Sequence, residues 1–246
     1  YRRQRQMCIR DRNNPYESLD LNTRIALAED INTPIETLEI LATDKNHYVL
    51  EAVSGNPSTP EKILTRLIED YNIRTFSPAL KNPSFSAELL TRLSKSKYWY
   101  VREFVTQHPN VPVSVLELLS NDESSEVREN IADNSKTPPE ILAQLSTDEF
   151  WMVRLSVATN QNTSGETLTD LSEDENLDVR IFVASNPNTP EEVLIRLYEE
   201  DLYDEVREAV EHNPNIPDKI FERLDDFDYH DEIQKNLADK VKKNRF

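Results

Sequence analysis

Three sets of side chains in this sequence are of types that can do chemistry. The first pairs aspartate with arginine at a six-residue offset: Asp122 with Arg128, Asp148 with Arg154, Asp174 with Arg180, and Asp201 with Arg207. A row of arginines could hold phosphate or carboxylate ligands, because the guanidinium fork donates parallel hydrogen bonds to either group. Each of these arginines, however, comes with its own acid. The pairing therefore points to a structural ladder, in which Asp caps a helix and Arg donates to the side chains or carbonyls of an adjacent unit. Arg24 and Arg102 lack an Asp six residues earlier and are the better ligand candidates of the row. The second set is aromatic: Tyr48, Tyr98, Trp99, Tyr100, Phe150 and Trp151, followed by Met152. Exposed Trp and Tyr carry much of the energy of protein interfaces, which makes these residues candidates for partner binding. The plainer alternative is that each ring covers the start of its own helix. In the third set, His47, His108, His212 and His230 occupy unrelated positions. They match no metal-ligand spacing and no Ser-His-Asp arrangement.

Composition narrows the chemistry further. Glycine occurs only at Gly55 and Gly165, so there is no glycine-rich phosphate loop, and Cys8 alone can form neither an internal disulfide nor a multi-cysteine metal site. No cofactor is expected. The net charge of -18, from 28 Lys plus Arg against 46 Asp plus Glu, opposes nonspecific attachment to nucleic acid or to an anionic membrane surface. No apolar run reaches the roughly 18 to 20 residues of a membrane span. The expectation is a soluble cytoplasmic protein, a monomer or an oligomer of unknown order, with an unidentified protein or peptide as its partner.

The elements that would position these residues follow from a repeat. The turn Asn186-Pro187-Asn188-Thr189-Pro190 has relatives along the chain, and the slot of Pro190 falls at Pro34, Pro60, Ser86, Pro112, Pro138, Ser164, Pro190 and Pro217. Six of these intervals are 26 residues and the last is 27. Leucines lie four and seven residues beyond almost every slot, as at Leu38 and Leu41, Leu116 and Leu119, or Leu194 and Leu197. A period of this length signals a solenoid, whose units bury their apolar faces against one another. Each unit reads as two short helices. Thr33, Thr137, Thr163 and Thr189 stand three residues before Glu36, Glu140, Glu166 and Glu192, a capping-box spacing that predicts the start of a second helix of about ten residues with Pro in its first position. The first helix carries Val-Arg at Val101-Arg102, Val127-Arg128, Val153-Arg154, Val179-Arg180 and Val206-Arg207. It is expected to stop at Asn-Pro or His-Pro, with Asn tolerating a left-handed cap.

The string from Val179 to Leu197 resembles the leucine-rich repeat variant family, and the match spans about residues 19 to 240. The Asp-Arg offset likewise resembles the ladder of HEAT repeats. The resemblance implies an all-α, right-handed α-solenoid of about eight two-helix repeats with no β-sheet, in which the second helix is α or 3₁₀. It implies no cofactor here, because an iron-sulfur domain would need a cysteine cluster. Residues 1-12, five of them arginine, fall outside the repeat register and resemble translated adaptor read-through, so they are taken as a non-native or disordered leader. Residues 13-246 are expected to form a single repeat domain with a capping helix from about residue 230. The function that follows is a noncatalytic scaffold for protein or peptide binding. The alternatives are an enzyme on a HEAT-like scaffold, of the DNA glycosylase or tetrapyrrole lyase kind, and a spacer in a larger assembly.

Overall fold

The structure is a computed structural model that describes residues 15–70 and 77–221. The expected leader and the expected capping helix lie outside these residues. The chain divides into two compact units, Tyr1–Leu119 and Ser120–Phe246, which are taken in turn.

The first unit holds α1 (Leu21–Glu29), α2 (Ile35–Leu41), α3 (His47–Gly55), α4 (Glu61–Asp70), a 3₁₀ helix (Ser77–Lys81), α5 (Ala87–Leu93), α6 (Trp99–Gln107) and α7 (Val113–Leu119). The second holds α8 (Ser125–Asp133), α9 (Pro139–Leu145), α10 (Trp151–Thr159), α11 (Gly165–Leu171), α12 (Leu177–Ser185), α13 (Glu191–Glu200), α14 (Asp204–Glu211) and α15 (Asp218–Phe221). Among the described residues there is no strand, and no helix is long and apolar enough to cross a membrane. First helices pack on first helices: α1 on α3 and α3 on the 3₁₀ helix in one unit, and α8 on α10, α12 and α14 in sequence in the other. The fold is an all-helical solenoid repeat.

The core is built from the periodic apolar positions. Leu38, Leu64, Leu90, Leu116, Leu142, Leu168 and Leu194 are fully buried, as are the first-helix valines Val101, Val127, Val153, Val179 and Val206. These residues remove about 25 cal/mol of unfavourable hydration per Å² of apolar surface, and no unit could bury them alone. Where the third first-helix is 3₁₀, Pro78 closes on the end of α3 so tightly that a Cβ at Gly55 would stand 2.6 Å from that of Pro78. Glycine is needed there because of this approach, not because of its backbone angles.

Two local expectations are corrected. Prolines 34, 138 and 190 are N-caps, not first helical residues, with φ near -60° and extended ψ. The ring fixes φ while the extended ψ delays the helix by one residue. That places the preceding Thr too far away to cap it. Instead, the hydroxyls of Thr33, Thr137, Thr163 and Thr189 donate back to the carbonyls of Leu27, Ile131, Val157 and Val183 at 2.5 to 2.6 Å. The second helices α2, α5, α7, α9 and α11 are seven residues long, while α4 and α13 have the expected ten. The second correction concerns Asn. No described residue has positive φ, and Asn56, Asn160 and Asn186 end their helices in extended backbone, with φ of -70° to -73°.

The asparagine side chain does a different job. Nδ2 of Asn186 donates to the carbonyls of Ala158 and Asn160, one repeat earlier, while its Oδ1 accepts from the amide of Asn188. Asn160 does the same with Ala132, Asn134 and Asn162, and Asn213 with Ala184, Asn186 and Asn215. In the first unit, Asn56 reaches Ala28 and Asp30, and Asn82 reaches Ser54 and Asn56. A second row runs beside it: Asn162 and Asn188 donate to Ser135 and Gln161, each 27 residues earlier. The helix ends reached by these asparagines thus find partners for their orphan carbonyls in the following repeat.

Leu116→Ala is expected to cost roughly 2 to 5 kcal/mol, measured by denaturant unfolding, because it empties a fully buried site. Asn186→Ala leaves two carbonyls and an amide without this partner, and is expected to lower unfolding free energy by about 2 to 4 kcal/mol. A loss below about 0.5 kcal/mol for Asn186→Ala would show that water replaces these bonds at no cost.

Candidate functional site

The arginines of the first helices are directed into the turns between repeats. Arg128 places Nη1 2.8 Å from the carbonyl of Asp122, six residues before it, and forks Nε and Nη2 onto the carboxylate of Asp148 at 2.6 and 3.0 Å. Arg154 repeats this with the Asp148 carbonyl and the Asp174 carboxylate, and Arg180 with the Asp174 carbonyl and the Asp201 carboxylate. Arg207 continues with the Asp201 carbonyl and pairs with the Asp204 carboxylate. The six-residue partner is therefore a backbone oxygen, and for Arg128, Arg154 and Arg180 the charge partner lies 20 or 21 residues ahead. Each Asp closes its own turn as well. The carboxylates of Asp122, Asp148, Asp174 and Asp201 accept from the amides two residues on, at Ser124, Phe150, Asn176 and Tyr203. They brace the turn before the helix and do not act as N-caps.

The ladder leaves little for a ligand. The paired side chains of Arg128, Arg154 and Arg180 are 11 to 13 % exposed, and their aspartates 6 to 7 %. Arg24, which has no Asp six residues earlier, forms an ion pair with Asp44 at 2.9 Å and donates to the carbonyl of Leu19. Arg102 is 6 % exposed and donates to the carbonyl of Ser96. Looking six residues back for a carboxylate missed both arrangements.

Burial alone would raise the carboxyl pKa values of Asp148 and Asp174. The guanidinium of Arg128 or Arg154, together with a backbone amide, outweighs it and holds both below the usual carboxylate value. Hydrogen bonding to the same carboxylates raises Arg128 and Arg154 despite their desolvation. Burial lowers Arg207.

The aromatic candidates separate into two groups. Phe150 stands two residues after Asp148 and lies beneath the guanidinium of Arg128, 5.6 Å from ring centre to Cζ. Tyr203 occupies the same slot after Asp201 and lies 5.5 Å from Arg180. These rings are lids on the preceding arginine, a role that exploits the attraction of a cation for a π face. The sequence reading passed over Tyr203, although its slot matches that of Phe150. Trp151 and Met152 follow Phe150 into α10 and are 39 % and 43 % exposed. In the first unit, Tyr48 is 53 % exposed and its ring contacts that of His47. Tyr98, Trp99 and Tyr100 are half-buried: Tyr98 stacks on Tyr100 at 5.3 Å, Trp99 meets Tyr100 edge-on, and the Tyr100 hydroxyl donates to the carbonyl of Glu69.

No group of three or more His, Cys, Asp and Glu among the described residues could hold a metal ion. His108 fills the asparagine slot, with Nδ1 accepting from the amide of Asn110 as Asn Oδ1 does elsewhere. His212 contacts the Glu208 carbonyl, and His230 lies outside the described residues.

The arrangement of paired short helices, stitched repeat to repeat, matches a solved structure described as a leucine-rich repeat variant with a novel repetitive protein structural motif. The chain has that fold. The match covers 86% of this chain and 82% of that one, at 24% identity and a TM-score of 0.56. No protein-family model matches the chain, and no curated protein matches it. Within the leucine-rich repeat variant fold, the buried Asp-Arg rungs tie one repeat to the next.

Asp174→Asn is expected to destabilise by roughly 3 kcal/mol at neutral pH, because it leaves a nearly buried guanidinium without its charge partner. Since the folded carboxyl pKa values are depressed, the ladder's contribution is complete above the unfolded value of about 3.9 and is lost as pH falls through the folded one. Thermal unfolding followed against pH should therefore show the wild type losing stability below about pH 4, and the gap to Asp174→Asn narrowing there.

Proposed function

We propose that this protein is a noncatalytic repeat scaffold that binds a protein or peptide, and that the aromatic helix starts are part of the surface it uses. One observation supports the reading above others. Phe150, Trp151 and Met152 form a contiguous exposed apolar segment at the head of α10, each 39 to 43 % exposed. Large side chains left in water cost free energy that a partner would recover, and Trp and Met are prominent at such surfaces. Trp99 takes the same register position at the head of α6 in the first unit, so the slot is used more than once. Tyr48 and the pair Tyr98 and Tyr100 extend the candidate set.

The test compares partners retained by the tagged wild-type chain and by Trp99→Ala/Trp151→Ala. Each loss at an interface anchor should cost at least about 2 kcal/mol, so a retained protein is expected to vanish from the variant while helical circular dichroism is unchanged. A partner captured equally by both forms would remove these residues from the interface.

A further inference from the structure

We propose that the groove beside α5 in the first unit binds an acidic segment of a partner protein, a short run of Asp and Glu carboxylates. This rests on the scaffold reading and specifies the partner's chemistry. The groove has a volume of about 450 Å³ and is lined by Thr65, Glu69, Arg92, Lys95, Lys97 and Tyr98, among others. Its charge is opposite to that of the chain. Residues 61 to 103 carry eight Lys and Arg against five Asp and Glu, whereas residues 120 to 221 carry seven against 24.

The reversal is concentrated in one turn. Ser120-Asn121-Asp122-Glu123, Ser146-Thr147-Asp148-Glu149 and Ser172-Glu173-Asp174-Glu175 share an acid pair, while the same turn at the groove reads Ser94-Lys95-Ser96-Lys97. The ladder aspartate is replaced by Ser96, whose hydroxyl still accepts from the amide of Tyr98, and the neighbouring glutamate by Lys97. The turn keeps its geometry and exchanges its charge.

The cations there are available. Neither Lys95 nor Lys97 has an ion-pair partner among the described residues, and the Lys97 ammonium rests over the ring of Tyr98, 4.7 Å from its centre. Arg92 pairs with Glu61 at 2.6 Å, but both side chains are about half exposed. Such a pair contributes little and exchanges readily for another carboxylate. Three cations around half-buried Tyr98 offer point charges for carboxylates and a ring face for the aliphatic stems between them. A nucleic acid would carry charge well past the groove and meet the net charge of -18, whereas a short acidic segment keeps its charge within it.

The probe is a fluorescein-labelled octa-glutamate peptide, followed by anisotropy with the full chain, with octa-glutamine and a single-stranded oligonucleotide of equal charge as comparisons. Octa-glutamate is expected to bind with Kd on the order of 10 to 100 μM at low salt. Lys95→Glu/Lys97→Glu should weaken it at least about tenfold, as should salt near 0.5 M. Circular dichroism should be unchanged in this variant. Equal binding by the variant, equal binding of octa-glutamine, or tighter binding of the oligonucleotide would overturn the proposal. So would self-association of the wild type that the variant abolishes without any peptide binding, which would make a second copy the occupant. Failure of the peptide with capture intact would overturn the groove alone, while capture unaffected by the Trp pair would count against the aromatic surface and leave the groove standing.

Discussion

The carbonyls at the end of each first helix are the constraint on which the rest of this structure depends. A helix of nine residues ending in Asn-Pro cannot satisfy its last carbonyls internally, and proline denies the chain a continuing donor. Val183 illustrates the solution: its carbonyl accepts the Asn186 amide and the Thr189 hydroxyl, while those of Ala184 and Asn186 accept the side chain of Asn213 from the next repeat. The hydrogen bonds that finish one helix are supplied by the following unit. Hydrophobic burial drives the stacking, but these bonds fix its register, because a shift by one residue would leave several buried groups unpaired.

The Asp-Arg ladder adds a second tie at the opposite end of the first helix. Its arginine reads both the turn before it and the turn after it, so one guanidinium clamps two successive turns. Such a nearly buried pair gives up hydration on both partners, and its net contribution to stability is modest. What it supplies is geometry, since the planar fork accepts the carboxylate in one orientation. Phe150 and Tyr203 close over two of these forks and keep water from competing for them.

Much of the fold was legible because its core is periodic. Leu116, Leu142 and Val153 were readable as buried positions from spacing alone, and all are at 0 % exposure. Less legible were side chains with two possible hydrogen-bonding roles. Thr137 before Pro138 looks like a cap, and it became a donor to the previous helix because the extended proline moved the helix start by one residue. Asn186 before Pro187 looks like a left-handed terminator, yet its recurrence with so few glycines signalled that the amide itself was needed and not merely a permissive backbone. For Arg24 the difficulty was direction along the chain, since its acid lies in the following repeat. At the candidate surface, Phe150 and Trp151 could be named from their type, but not the contact that Phe150 makes with the guanidinium of Arg128.

The one irregular interval has a further meaning. Between Asn186 and Asn213 the chain is one residue longer, and both ties survive: Arg180 still reaches Asp201, and Asn213 still reaches Ala184 and Asn186. The surplus falls in α13, ten residues long where its counterparts α9 and α11 have seven. In this chain the change in length falls in the second helix, while the segment from ladder arginine to asparagine keeps its six residues, Arg180 to Asn186 and Arg207 to Asn213 alike. In genetic terms, the heritable unit is the whole repeat. Duplication or loss of a complete module re-forms every tie at the new junction, so the length of such an array can change in steps of 26 residues without passing through an unfolded intermediate sequence.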